Sequence, residues 1–170
     1  VSALAQLPSG DLLAATLPGG KIVRIDAKGA VTPFAELKVE QIWAIVPHQG
    51  RLLVGTGPKG ELFSMDQSGK DIKVLLDSDE KDILAVLSVG KDIVVGTSPG
   101  AKVLQVGDPV EGVLLHDFSG DEVRALVGED VDADEGEELL ADGAGGDAGG
   151  GLAGAGAFED VAQIAAVVFE

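Results

Sequence analysis

Cysteine and tyrosine are absent from the 170-residue chain, which holds a single tryptophan and a single methionine. Without thiols there is no disulfide framework and no thiolate metal site, and the redox compartment stays open. Aromatic residues make up only 4%, so any core has to be assembled from Val, Leu, Ile and Ala. No run of 18 apolar residues occurs, and this excludes a membrane-spanning helix. No Lys or Arg follows Arg124, whereas residues 128–170 carry 12 of the 29 acids. The net charge of −17 is therefore concentrated in the C-terminal part, and nucleic acid is excluded as an expected partner.

What the chain does have is a repeat. Arg51 to Asp66, RLLVGTGPKGELFSMD, is preceded by Asp11 to Asp26, DLLAATLPGGKIVRID, and followed by Asp92 to Gly107, DIVVGTSPGAKVLQVG. Thr16, Thr56 and Thr97 lie 40 and 41 residues apart, as do Pro18, Pro58 and Pro99. Strand-turn-strand content at such a period is the signature of a β-propeller blade.

Each unit opens on a short apolar strand, Val1-Ser-Ala-Leu, Ile42-Trp-Ala-Ile, Ile83-Leu-Ala-Val and Val123-Arg-Ala-Leu. A second, unbroken apolar run follows (Leu12 to Ala15, Leu52 to Val54, Ile93 to Val95), as suits a strand covered on both faces. After the Thr-x-Pro turn comes a third strand, at Ile22, Leu62 and Val103, and then a turn of the form Asp26-x-x-Gly29 or Asp66-x-x-Gly69. A weaker fourth strand lies near Val31 to Ala35, Ile72 to Leu76 and Gly112 to Leu115, and Pro33 marks it as an outer edge. The expected fold is all-β: propeller blades of four antiparallel strands, about 41 residues each.

The opening Ala3, Ala44, Ala85 and Ala125, the GT-x-P turns and the strand IVRID at 22–26 resemble the bacterial propeller repeats grouped with the YVTN, NHL and quinoprotein-like families. The resemblance covers residues 1–127, three blades and the first strand of a fourth. It implies architecture far more than activity, because such propellers host many unrelated roles. Three and a half blades fall short of the usual ~4–8. The chain opens on Val1 inside a repeat. The expectation is an incomplete, open propeller, part of a larger ring whose remaining blades lie in a longer chain.

Residues 128–157 form an acidic, Gly- and Ala-rich insertion with two readings. One is a solvated, low-complexity loop. The other is a calcium loop, since carboxylates at alternate positions of a tight loop can surround the ion. An EF-hand fits poorly, because Glu135 stands where its glycine belongs and Ala141 where its last glutamate does. Asp130, Asp132, Asp134 and Glu138 resemble the D-x-D-x-D-G-x-x-D pattern of the FG-GAP repeat of integrin-α-like propellers. That resemblance implies those four as calcium ligands, departs from the pattern at Glu135 and Glu138, and places a strand at Glu138 to Ala141. Residues 158–170 read as a terminal strand or a short helix.

Catalytic signatures are not visible. His116 and Asp117 are neighbours in a strand and point to opposite faces. There is no G-x-S-x-G elbow and no phosphate loop. The second residue of each opening strand, Ser2, Trp43, Leu84 or Arg124, varies while its alanine neighbour does not. If opening strands surround the channel, these side chains gather at its mouth, and Trp43 and Arg124 are favoured anchors for a protein or small ligand. Trp43 serves equally well as filler between blades.

The leading expectation is a non-enzymatic binding or scaffold module, calcium-stabilised and located at the cell surface, in the periplasm or outside the cell. A propeller lactonase or hydrolase whose catalytic residues lie in other blades is the alternative, and a plain spacer the third.

Overall fold

The computed structural model describes residues 1–107, 110–130, 151–155 and 161–169. Its described residues are all-β and contain no helix. The first sheet is β1 (Ala3–Gln6), β2 (Leu12–Thr16), β3 (Gly20–Ile25) and β4 (Val31–Leu37). The second is β5 (Gln41–His48), β6 (Arg51–Gly57), β7 (Glu61–Asp66) and β8 (Lys73–Asp77). The third is β9 (Asp82–Val89), β10 (Asp92–Ser98), β11 (Lys102–Val106) and β12 (Gly112–Asp117). In each, strands pair with their sequence neighbours, all antiparallel. These are three propeller blades.

A fourth sheet contains β13 (Glu122–Asp130), β14 (Gly151–Ala155) and β15 (Val161–Phe169), in the order β13-β15-β14. Here the strand beside the opening strand is the last in sequence, pairing Glu122 with Phe169 and Asp130 with Val161. The first three sheets are sequential meanders; this one is not. The strand expected at Glu138 to Ala141 lies outside the described residues.

The reason for the unbroken apolar second strands is now physical. Val54 joins an apolar cluster with Leu13, Ala15 and Ile22 of the first blade, while its neighbour Leu53 joins one with Ile83 and Val95 of the third. A strand sandwiched between two sheets has to be apolar at successive positions, not alternate ones. The opening strands pack in series, β1 against β5, β5 against β9 and β9 against β13. Gly55 and Gly96 allow this close approach. A Cβ at Gly55 would stand 2.8 Å from the Ile83 carbonyl oxygen, and one at Gly96 2.5 Å from Val123 Cγ1.

The repeated threonine closes the hairpin between second and third strands. Thr56 Oγ1 donates to the Glu61 carbonyl at 2.8 Å and Thr97 Oγ1 to that of Lys102 at 3.2 Å. The peptide bond before each turn proline, Pro18, Pro58 and Pro99, is cis. In the following turn Asp26 Oδ1 accepts from the amides of Lys28 (2.8 Å) and Ala30 (2.9 Å). Asp66 does the same for Ser68 and Lys70, and its Ser68 hydroxyl bond, then the amides, hold its carboxyl below the usual range. Gly29 and Gly69 adopt the positive φ that completes this turn.

The three blades and the fourth sheet form an open arc. Val1, at one end of it, is exposed, although its counterparts Ile42, Ile83 and Val123 are fully buried.

Candidate binding surface

The second position of the opening strand is a β-bulge. In β5, Ile42 pairs with Thr56 and Ala44 with Gly55, which leaves Trp43 as the extra residue. In β9, Ile83 pairs with Thr97 and Ala85 with Gly96, and Leu84 is extra. In β13, Val123 pairs with Val168 and Ala125 with Val167, and Arg124 is extra. A bulge re-aims one side chain while the strand continues. Here it brings three unlike side chains, from successive blades, to the same end of packed neighbouring strands.

Leu84 is half-buried, and Trp43, Arg124 and the equivalent Ser2 have defined environments. Trp43 is half-buried, and its Nε1 donates to Asp82 Oδ1 of the next blade at 2.8 Å. Gly57 makes room for this pair, because a Cβ there would collide with the Asp82 carboxylate and lie 2.9 Å from Trp43 Nε1. Trp43 thus links blades and retains an exposed portion. Arg124 is exposed and pairs in two-pronged fashion with Glu122, at 2.5 and 2.9 Å. Ser2, in the first blade, has a buried Oγ without a hydrogen-bond partner.

A second feature lies at the turns. Between blades two and three, Glu80 Oε2 accepts from the Gly100 amide (2.9 Å) and Oε1 from Lys102 Nζ (2.6 Å). That hydrogen bond, with the attraction of the carboxylate, raises the Lys102 pKa. One period earlier, between blades one and two, Val39 stands for Glu80, Lys59 for Gly100 and Glu61 for Lys102. At that place there is an open cleft of about 330 Å³, lined among others by Gly20, Glu36, Val39, Pro58, Lys59 and Glu61. Its charges are of both signs.

At the far end of the opening strands, His48 Nδ1 lies 2.7 Å from Ser88 Oγ of the next blade. Burial lowers the His48 pKa. His116, in β12, lies against the ring of Phe118 just past the strand's end, with centroids 4.2 Å apart, and not on Asp117. Among the described residues no group of three or more His, Asp or Glu is placed to hold a metal. Asp132, Asp134 and Glu138 lie outside the described residues, as does the side chain of Asp130, and with them the calcium loop. No described helix is long and apolar enough to cross a membrane.

Asp82, Glu80 and Ser88 were not singled out by motif. A signal for two of them exists in the sequence: partners in adjacent blades lie about one period apart, Trp43 and Asp82 by 39 residues, His48 and Ser88 by 40.

No family model matches the chain, and no curated protein matches it. Solved structures do. A streptogramin B lyase is 14% identical with a TM-score of 0.61, over 74% of this chain and 43% of that protein. The computationally designed Ika4 protein is 17% identical with a TM-score of 0.53, over 99% of this chain and 91% of the designed one. The designed Ika8 protein is 20% identical with a TM-score of 0.52, over 76% of this chain and 40% of its own. At these identities the likeness concerns fold, and the chain spans less than half of the lyase. The class is settled at that level: an open β-propeller.

Proposed function

We propose that this propeller is a non-enzymatic binding or scaffold module whose ligand-facing row is Trp43, Leu84 and Arg124. The observation that carries the reading is the bulge repeated in β5, β9 and β13, which keeps the backbone constant while the side chain at one place changes. A scaffold that varies one row on a fixed frame is built for recognition. Trp and Arg are the side chains that contribute most at interfaces. The ligand is a protein segment or a small molecule.

The calcium-stabilised, extracellular part of the reading rests on Asp130, Asp132, Asp134 and Glu138 in the sequence alone. Millimolar extracellular calcium suits a loop of that kind. Calorimetric titration with calcium chloride should show heat, and the melting temperature should rise, with both effects gone in Asp130→Ala/Asp132→Ala. Absence of heat together with unchanged melts removes calcium and leaves the bulge row. For the row itself, immobilised chain carrying Trp43→Ala and Arg124→Ala should retain less of any protein captured from the native source, while circular dichroism stays that of a folded sheet. Equal retention by both forms overturns it.

The streptogramin B lyase shows that a similar fold hosts an enzyme, without bearing on the reaction. The second reading is a propeller enzyme of lactonase or hydrolase type. It requires catalytic residues from blades beyond these, and turnover by this chain alone would displace the binding reading.

A further inference from the structure

The place that Glu80 fills between blades two and three recurs between blades one and two with different side chains around it. The Glu80 side chain is only 10% exposed, and its carboxylate lies against two donors of blade three. Oε2 takes the Gly100 amide at 2.9 Å and Oε1 the Lys102 ammonium at 2.6 Å. A nearly buried carboxylate held by a backbone amide and an ammonium is a strong, charge-assisted arrangement. It shows which chemistry the repeat accommodates at this point.

One period earlier the backbone donor is kept and the rest is changed. Pro58 matches Pro99, so the Lys59 amide stands where the Gly100 amide does, and no described residue accepts from it. Val39, in the place of Glu80, has no polar side-chain atom and leans on its own blade. Its Cγ2 lies 2.8 Å from where a Cβ of Gly20 would fall. Glu61 stands in the place of Lys102, so the charge there is negative instead of positive. The result is the cleft of about 330 Å³, at the lower end of the range for small-ligand sites. Glu36, Lys38, Lys59 and Glu61 line it, and none of their side chains forms an ion pair or hydrogen bond with a described residue.

Complementarity defines the guest. The Lys59 amide calls for an acceptor where the Glu80 carboxylate would be, and the ammoniums of Lys38 and Lys59 favour a negative one. Glu61 calls for a cation where the Lys102 ammonium would be. A lone anion would be repelled by Glu61, by Glu36 and by the −17 charge of the chain, whereas a zwitterion is not. At the filled junction the carboxylate oxygen and the ammonium are 2.6 Å apart, close to their separation in an α-amino acid. Leu37, Val39 and Pro58 supply the apolar part of the lining, which suits a short aliphatic side chain.

We propose that the cleft between blades one and two binds a free aliphatic α-amino acid, its carboxylate on the Lys59 amide and its ammonium on Glu61. None of the bulge-row side chains lines this cleft, so the proposal stands whether or not that row binds a ligand.

Amide NMR spectra of the full chain, titrated with L-valine and with L-leucine, test it. A saturable shift of the Lys59 amide at millimolar ligand is expected. Isovalerate, without the ammonium, and isobutylamine, without the carboxylate, should bind about ten-fold more weakly, each having lost one charge-assisted contact. Glu61→Gln should weaken L-valine by a similar factor and tighten isovalerate, an opposite response that general loosening of the turn would not produce. Val39→Glu/Lys59→Gly/Glu61→Lys, which copies the Glu80 bridge into the cleft, should bind neither amino acid. No saturable shift with either amino acid overturns the proposal. So does isovalerate binding as tightly as L-valine, or Glu61→Gln leaving both affinities unchanged.

Discussion

The junction between blades two and three differs from that between blades one and two, although the same repeat builds both. In the former, polar groups reach across: Trp43 to Asp82, His48 to Ser88, and Glu80 to the turn of Gly100 and Lys102. In the latter the counterparts of the first two pairs are Ser2 with Gln41 and Leu7 with Pro47, and Val39 replaces Glu80. Ser2 Oγ is left buried without a partner there, and the cleft above Val39 is open. The backbone also differs in closeness. Ala15 is accommodated in the first blade at the place where the second has Gly55, pressed against Ile83. Apolar side chains, with the Gly19 amide donating to the Glu40 carbonyl at 2.8 Å, make the first junction; the side-chain polar links add definition to the second.

The comparison can be broken at Gly55. Gly55→Val would force side-chain carbons onto the Ile83 carbonyl and its Cγ2, 2.8 and 3.0 Å from where a Cβ falls. Urea unfolding should show a loss of about 3 kcal/mol, the upper part of the overpacking range. Ala15→Val in the looser junction should cost less, and an equal loss in the two would mean that they are equally tight.

Next in size is Glu80→Ala, which strips the Gly100 amide and the Lys102 ammonium of their acceptor. A loss of about 1.5 kcal/mol is expected, the lower end for hydrogen bonds to charged groups. The reverse exchange sharpens the contrast. Val39→Glu with Lys59→Gly and Glu61→Lys should transplant the bridge into the cleft and raise the melting temperature. An unchanged melt would show that the bridge contributes nothing net, as exposed ion pairs often do.

The smallest effect is the pH dependence of His48. Burial sets its folded pKa below the ordinary 6.5, so as pH falls through that value the unfolded chain takes up a proton that the folded one resists. Stability should decline as pH falls through 6.5 and level off, without recovery, once the folded group also titrates. His48→Gln should flatten this slope in melts followed by circular dichroism, and an unaltered slope would assign it to other groups.

The repeat made much of this molecule legible. Thr16, Thr56 and Thr97 marked the hairpins, and the unbroken runs at Leu12, Leu52 and Ile93 marked the sandwiched strands, because burial on both faces leaves a one-dimensional trace in composition. The fourth sheet was less legible. Its β15 pairs with β13 from more than thirty residues away, and no period announces a pairing that occurs once. The bulges were visible only as a variable second residue, since an extra residue in one strand leaves no mark without its partner's register. Glu80 was hidden for another reason: its partners lie 20 and 22 residues on, about half a period, where neither local pattern nor repeat directs attention.

The serial packing of β1, β5, β9 and β13 has a kinetic consequence. Among the described residues the blades pack against their sequence neighbours, so cooperativity spreads along a line, as in solenoid arrays. An inner blade is held from two sides and an end blade from one. Amide protons of β2, where Leu12 is exposed, should therefore exchange faster in this 170-residue chain than those of β6, where Leu52 is buried.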